Sequence, residues 1–305
     1  MHSQIRRFSI LICISLSWMT TTCLAQNSMS QAMQDLQVLS SEQMQGREIG
    51  SPGSALARNY ILKRIAELGL KPCATAYVQD FKASRPSPSS EGKNIIACQF
   101  SEDKAAKYLV ISAHYDHLGI NYNKIYFGAD DNASGVAGVL AVAQSLKDKV
   151  TKHHIVYAFF DGEEQGLQGA HAFVKQAWIP RKEITANLNF DMIARGDKNE
   201  LFVSGTYHNP ELKPLLQDLN GVHGIKVTFD HDKPDQGNDD WTPQSDHFAF
   251  FQAGIPHLYF GVEDHVDYHK ATDKFEKVNP QFFDGAIAIL QKAVQLVDQQ
   301  FVRKN

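Results

Sequence analysis

Apolar positions along this chain switch repeatedly between a helical period and short continuous runs. Met33, Leu36, Leu39 and Met44 recur at roughly helical spacing and predict an amphipathic helix over 30–44. A loop rich in glycine, Gly46 to Gly53, follows, and Pro52 opens a second helix carrying Leu56, Tyr60, Ile61, Ile65 and Leu68, with Gly69 as its stop. Residues 76–82 read as a strand, and Ala83 to Gly92 is the most loop-like stretch. Asn94 to Phe100 and Tyr108 to Ala113 are short β-rich runs, the second nearly all apolar, as a strand covered on both faces must be. The pattern then alternates: helix at Ala133–Leu146, strand at His154–Phe160, helix at Leu167–Trp178, strands at Thr185–Phe190 and Leu201–Ser204. A helix over Pro210–Leu219, a strand over Ile225–Phe229, a polar loop over Asp230–Thr242 and a short helix over Ser245–Gln252 come next. A strand at His257–Phe260 and a long helix over Pro280–Phe301 close the chain. Strands alternating with helices predict an α/β fold, a three-layer α/β/α sandwich around a mostly parallel mixed sheet. No repeat or linker divides it, so residues 26–305 read as one domain.

Composition changes this picture at one end. Arg6 and Arg7 precede the apolar run Phe8–Trp18, and Cys23-Leu-Ala25 supplies small residues before Gln26, the form of a signal peptide over 1–25. That run is short and broken by Ser, with Thr following from 20, and the mature chain is expected to have no membrane span. The expected location is exported, periplasmic or extracellular. Thr20 to Thr22 match a lipoprotein context at Cys23 poorly. Removing two arginines from 30 basic residues against 34 acidic ones leaves 28 − 34 = −6, and no basic stripe stands out, which argues against nucleic acid as a partner. Cys73 and Cys98 remain, either bonded or as two buried thiols.

The chemistry-bearing residues sit where apolar runs end. His114-Tyr-Asp116 closes one predicted strand, Gly162-Glu163-Glu164 another and Asp191 a third, while Asp130-Asp131-Asn132 precedes a helix and His269 follows the last strand. Each alone reads as a solvated loop residue. In a parallel sheet, however, strand ends converge on one crevice, where imidazoles and carboxylates together suit a metal. Trp241, Phe248, Phe250 and Phe251 read as pocket lining or core, Ser245 as a helix cap, and His153, His154, His208, His223 and His231 as surface histidines.

Ser112-Ala-His114-Tyr-Asp116, Gly128-Ala-Asp-Asp131-Asn-Ala-Ser-Gly135, Gly162-Glu163-Glu164, Asn189-Phe-Asp191-Met and Tyr268-His269-Lys-Ala-Thr-Asp273 resemble, in order, the motifs of the M28 family of zinc aminopeptidases. Met44-Gln-Gly-Arg47 resembles that family's amino-terminal segment. The resemblance implies two zinc ions bridged by Asp131, with His114 and Asp191 on one and Glu164 and His269 on the other. Glu163 would be the general base, and Asp130 would replace Asp131 if the motif register shifted by one. It further implies a cis peptide after the bridging aspartate. Asp116 is placed to accept the second N–H of His114, and Asp273 either does the same for His269 or caps a loop. The implied substrates are peptides with a free amino terminus; the oligomeric state is left open. Three alternatives stand beside this: a glutaminyl-cyclase-like acyltransferase with one zinc, a carboxypeptidase of the same fold, and a non-catalytic metal- or peptide-binding relative.

Overall fold

Nine strands form one twisted sheet in the computed structural model, which describes residues 29–85, 91–176 and 178–303. The expected signal peptide over 1–25 lies outside the described residues. In chain order the strands are β1 (Lys71–Pro72), β2 (Val78–Lys82), β3 (Glu91–Gln99), β4 (Tyr108–His114), a small hairpin of β5 (Ile120–Asn121) and β6 (Lys124–Ile125), β7 (His154–Phe160), β8 (Ile184–Phe190), β9 (Glu200–Ser204), β10 (Lys226–Phe229) and β11 (His257–Gly261). The main sheet runs β1-β3-β7-β4-β8-β11-β9-β10, with β2 also on β3. Its centre, β7-β4-β8-β11, is parallel, while β3 on β7 and β9 on β11 are antiparallel. The mixed, mostly parallel sheet expected from the alternation is therefore present.

The central strands are buried throughout; β4 and β7 accordingly read as near-continuous apolar runs, while β8 carries Asn187 and Asn189, whose amides are hydrogen-bonded to Ser112 and Ser245. Along β4, Leu109, Ile111 and Ala113 face one core and Val110 the other. The first core is covered by helices α1 (Gln31–Leu39), α2 (Pro52–Leu68), α3 (Gly135–Leu146) and α7 (Pro280–Gln300). The second is covered by α4 (Gln168–Gln176) and, beyond the short α5 (Lys213–Leu216), by α6 (His247–Gln252). Caps follow the local sequence: Ser51 accepts from Ser54 N–H at the start of α2, Gly69 ends it in the left-handed region, and Asn279 caps α7.

Two helices are shorter than the periodicity suggests. The expected helix over 30–44 ends at Leu39; a 3₁₀ segment follows in which Gln45 and Gly46 have positive φ. A Cβ on Gly46 would lie 2.4 Å from Tyr126 O and 2.5 Å from Gly119 O, so only glycine lets this segment lie against the chain beyond β4. The expected helix over 210–219 contracts to α5 and one 3₁₀ turn, with Pro214 supplying no N–H to a preceding turn. Cys73 and Cys98 are joined by a disulfide. His153 and His154, expected at the surface, are buried: His153 bonds the Asp298 carboxylate at 3.0 Å, and His154 packs on Phe100 and Tyr108.

Candidate metal centre

The chain leaves β4 toward β7 and then crosses back over β4 to β8, so the ends of β7, β4 and β8 bound a crevice at a reversal of strand order. His114 is the last residue of β4, Asp191 follows β8, Glu163 and Glu164 follow β7, and His269 follows β11. All five line one cleft of about 870 Å³ together with Asp131.

Asp131 is central. Its Oδ1 lies 3.4 Å from His114 Nε2, and its Oδ2 lies 3.1 Å from His269 Nε2. His114 Nε2 is also 3.3 Å from Asp191 Oδ1, and His269 Nε2 is 3.3 Å from Glu164 Oε2. Asp130 turns away: its carboxylate accepts from Ala194 N–H at 2.6 Å and faces His265 Nε2 at 3.1 Å. The Asp131–Asn132 peptide is cis. Asn132 secures this turn, its Nδ2 donating to Phe190 O and its Oδ1 accepting from Gly135 N–H. Asp273 takes the capping option, accepting the N–H groups of Asp130 and Asp131 at 3.0–3.1 Å.

Asp116 acts differently from the simple expectation. The His114 Nδ1 proton goes to the Asp116 backbone carbonyl at 3.2 Å, while the carboxylate stands 3.7 Å away. A carbonyl only accepts, so Nδ1 carries the proton and Nε2 presents its lone pair to the cleft. The Asp116 carboxylate instead accepts the N–H groups of Glu163 at 3.1 Å and Glu164 at 3.4 Å, holding the turn that presents both. Ser245 is not a helix cap. Its hydroxyl donates to Asp191 Oδ2 at 2.7 Å and accepts from Asn189 Nδ2, because a buried carboxylate oxygen needs a donor.

The roles of two residues here escaped sequence reasoning. His117, fully buried, places Nδ1 2.6 Å from Glu164 Oε1. Its imidazole three residues beyond His114 was the available signal. Arg47, 1% exposed, donates to the carbonyls of Leu39, Tyr115, Phe127 and Gly128 at 2.7–2.9 Å. It thereby ties the His114–Asp116 turn to the segment leading into Asp131. Burial lowers its pKa to about 10, so it stays charged at neutral pH.

The donor set fits a metal. Asp131, Asp191 and Glu164 converge with little solvent, and Asp191 Oδ1 is buried with no hydrogen-bond partner. Such an atom is costly unless a cation collects it. Two groups offer donor atoms within 4.8 Å of one another, His114-Asp131-Asp191 and His117-Asp131-Glu164, sharing Asp131. Zinc bonds of about 2.0–2.2 Å in a tetrahedron put neighbouring donors about 3.3 Å apart, close to the 3.1–3.4 Å separations around His114 and His269. Glu163 stands apart from these contacts. Burial first, then Glu164, Asp246 and Asp191 nearby, holds its carboxyl well above the usual carboxylate range.

With this geometry in place, the model of peptidase family M28 matches residues 94–294, 201 of the 305 residues. The chain belongs to peptidase family M28. It is 28% identical over 211 residues to a vacuolar membrane protease of Candida albicans, covering 67% of this chain and 23% of that protein. The chain thus spans about a quarter of that relative's length. Its fold is that of a zinc aminopeptidase from Bacillus subtilis (TM-score 0.55, 23% identity, 68% of this chain and 50% of that one). It is likewise that of a glutaminyl cyclase from Porphyromonas gingivalis (TM-score 0.70, 16% identity, 88% and 97%). The M28 resemblance and the sandwich expected from sequence therefore hold. The expected location does not. Fungal relatives from several species are named for the vacuolar membrane, neither periplasmic nor extracellular, which overturns the exported assignment drawn from residues 1–25. No helix among the described residues is long and apolar enough to cross a membrane.

Proposed function

We propose that this chain is a dizinc aminopeptidase that hydrolyses the first peptide bond of peptides with a free α-amino group. The observation that carries the reading is the split of Asp131, one oxygen facing His114 and Asp191 and the other facing His269 and Glu164. His114, Asp131 and Asp191 would hold one zinc ion, and Asp131, Glu164 and His269 the other. Bound zinc supplies Lewis acidity for the scissile carbonyl and lowers the pKa of a water.

The remaining work belongs to the chain. Glu163 takes the proton of the attacking water and returns it to the leaving amine, as a carboxylate lining the cleft but outside both donor sets can. Asp116 sets the height of Glu163 by holding its backbone N–H, and through its own carbonyl it fixes the His114 tautomer. Charge in the cleft favours the amino end of a substrate over the carboxyl end. Among the described residues lining it there is no Lys or Arg, whereas Asp239, Glu263 and Asp264 add carboxylates beyond the donor set. Away from the metal positions a peptide carboxylate would meet no Lys or Arg among these lining residues, whereas an ammonium would meet carboxylates.

The test is to load the protein with zinc and supply a mixture of peptides with free and acetylated amino termini, some starting with Gln. Stepwise loss of residues from free amino termini alone is expected in mass spectra. Trimming from the carboxyl end, loss of ammonia from Gln-peptides, or no change would refute the reading in favour of carboxypeptidase, cyclase or binding protein respectively. Glu163→Gln should keep its zinc and lose roughly 10²–10⁴-fold in kcat, the range of general-base catalysis.

A further inference from the structure

We propose that His117 is a positioning residue that confines Glu164 to one ligating oxygen, rather than a metal ligand itself. The assignment rests on the two-zinc reading above. His117 and His269 both approach Glu164, but from different sides and at different distances. His269 Nε2 is 3.3 Å from Oε2 and 3.1 Å from Asp131 Oδ2, the spacing of donors around one zinc ion. His117 Nδ1 is 2.6 Å from the other oxygen, Oε1, and 3.8 Å from Asp131 Oδ2. A separation of 2.6 Å is far below the edge of a zinc tetrahedron, and it is the length of a short charge-assisted hydrogen bond. An ionised carboxylate only accepts, so His117 Nδ1 is the donor in this contact and directs its N–H at Oε1, while Oε2 faces His269.

The ring has little freedom to do otherwise. His117 is fully buried, and a Cβ on Gly128 would lie 2.6 Å from both Cγ and Cδ2 of the imidazole. Gly128 is itself held by Arg47, whose Nη2 donates to its carbonyl at 2.9 Å. His269, by contrast, is 42% exposed at its side chain and anchored mainly by stacking on Tyr268, with centroids 3.9 Å apart. The second zinc position therefore pairs an exposed ligand with a carboxylate that must be aimed from behind. With Oε1 committed to His117, Glu164 has one oxygen left for the metal. Without it, the carboxylate can rotate or chelate through both.

X-ray absorption on the zinc-loaded full chain counts imidazoles directly. A positioning role predicts one histidine per zinc ion on average, from His114 and His269, and the same count in His117→Ala; a higher count, or one that falls in that variant, overturns the proposal. Competition with a chromophoric chelator gives the second measurement. His117→Ala should weaken one of the two zinc ions by roughly 10–100-fold, the effect of removing such a partner, and leave the other unchanged. His117→Asn, whose amide N–H reaches where Nδ1 does, should recover most of that loss, although an amide is a poor zinc ligand. Equal affinities in wild type and His117→Ala overturn the assignment alone, with stoichiometry still at two. A wild type that binds a single ion fails the dizinc reading and takes the assignment with it.

Discussion

Arg47 offers the sharpest test of how the centre is held, because its contribution can be worked out from contacts unrelated to any bound metal. Its guanidinium makes four hydrogen bonds, to Tyr115 O at 2.8 Å, Leu39 O at 2.7 Å, Phe127 O at 2.8 Å and Gly128 O at 2.9 Å. Bonds from a charged donor each contribute about 1.5–3 kcal/mol, roughly 6–12 kcal/mol for four. Against this stands the burial that lowers its pKa to about 10, partly offset by Asp131 and Asp116, a net cost of about 3 kcal/mol to the charged form. Arg47→Met conserves much of the volume, relieves that cost and strands the carbonyls. Partial relaxation around them brings the expected loss toward the lower end, about 3–5 kcal/mol. Arg47→Lys keeps the charge with fewer donors and should lose about half as much. Urea unfolding with chelator present measures this without zinc linkage. A loss below about 1 kcal/mol for Arg47→Met would refute the reasoning, since the four carbonyls would then have found other partners at no cost.

Asp131 and Asp130 are adjacent acids with opposite orientations, so their variants should separate. Asp131→Asn should lower bound zinc, read by elemental analysis, while Asp130→Asn keeps zinc and loses stability through its contacts to Ala194 N–H and His265. His257 is buried, and burial lowers its pKa from 6.5 to about 4. The unfolded chain therefore takes up a proton first, and stability present above pH 6.5 should fall by about 3 kcal/mol as pH drops toward 4. Replacing His257 by Gln should flatten that part of a stability-against-pH curve. The Cys73–Cys98 disulfide spans a separation of 25 residues, and its loss in a double serine variant should cost about 3 kcal/mol in denaturant unfolding.

The central strands were legible because their burial on both faces leaves a mark in sequence: Leu109–Ala113 and Ile155–Phe160 are apolar or small throughout, and Thr185–Phe190 keeps Ala186, Leu188 and Phe190 around its two asparagines. From the alternation with helices a parallel core follows, and from parallel strands a common end at which His114, Glu163, Glu164 and Asp191 must meet. That much was a matter of local pattern and topology. What sequence could not decide is direction and distance between side chains far apart in the chain. Whether Asp130 or Asp131 faces the cleft depends on the turn held by Asn132 and Asp273. The carboxylate of Asp116 goes to the Glu163–Glu164 turn and Ser245 goes to Asp191 because buried acceptors and donors must be satisfied by whatever the fold brings near. Arg47 and His117 carry no periodicity of their own. Arg47 reaches its carbonyls on Phe127 and Gly128 across 80 and 81 residues, and His117 reaches Glu164 across 47. The spacing of His117 from His114 marks it as a candidate, but which partner either residue reaches is determined only by the packed tertiary structure.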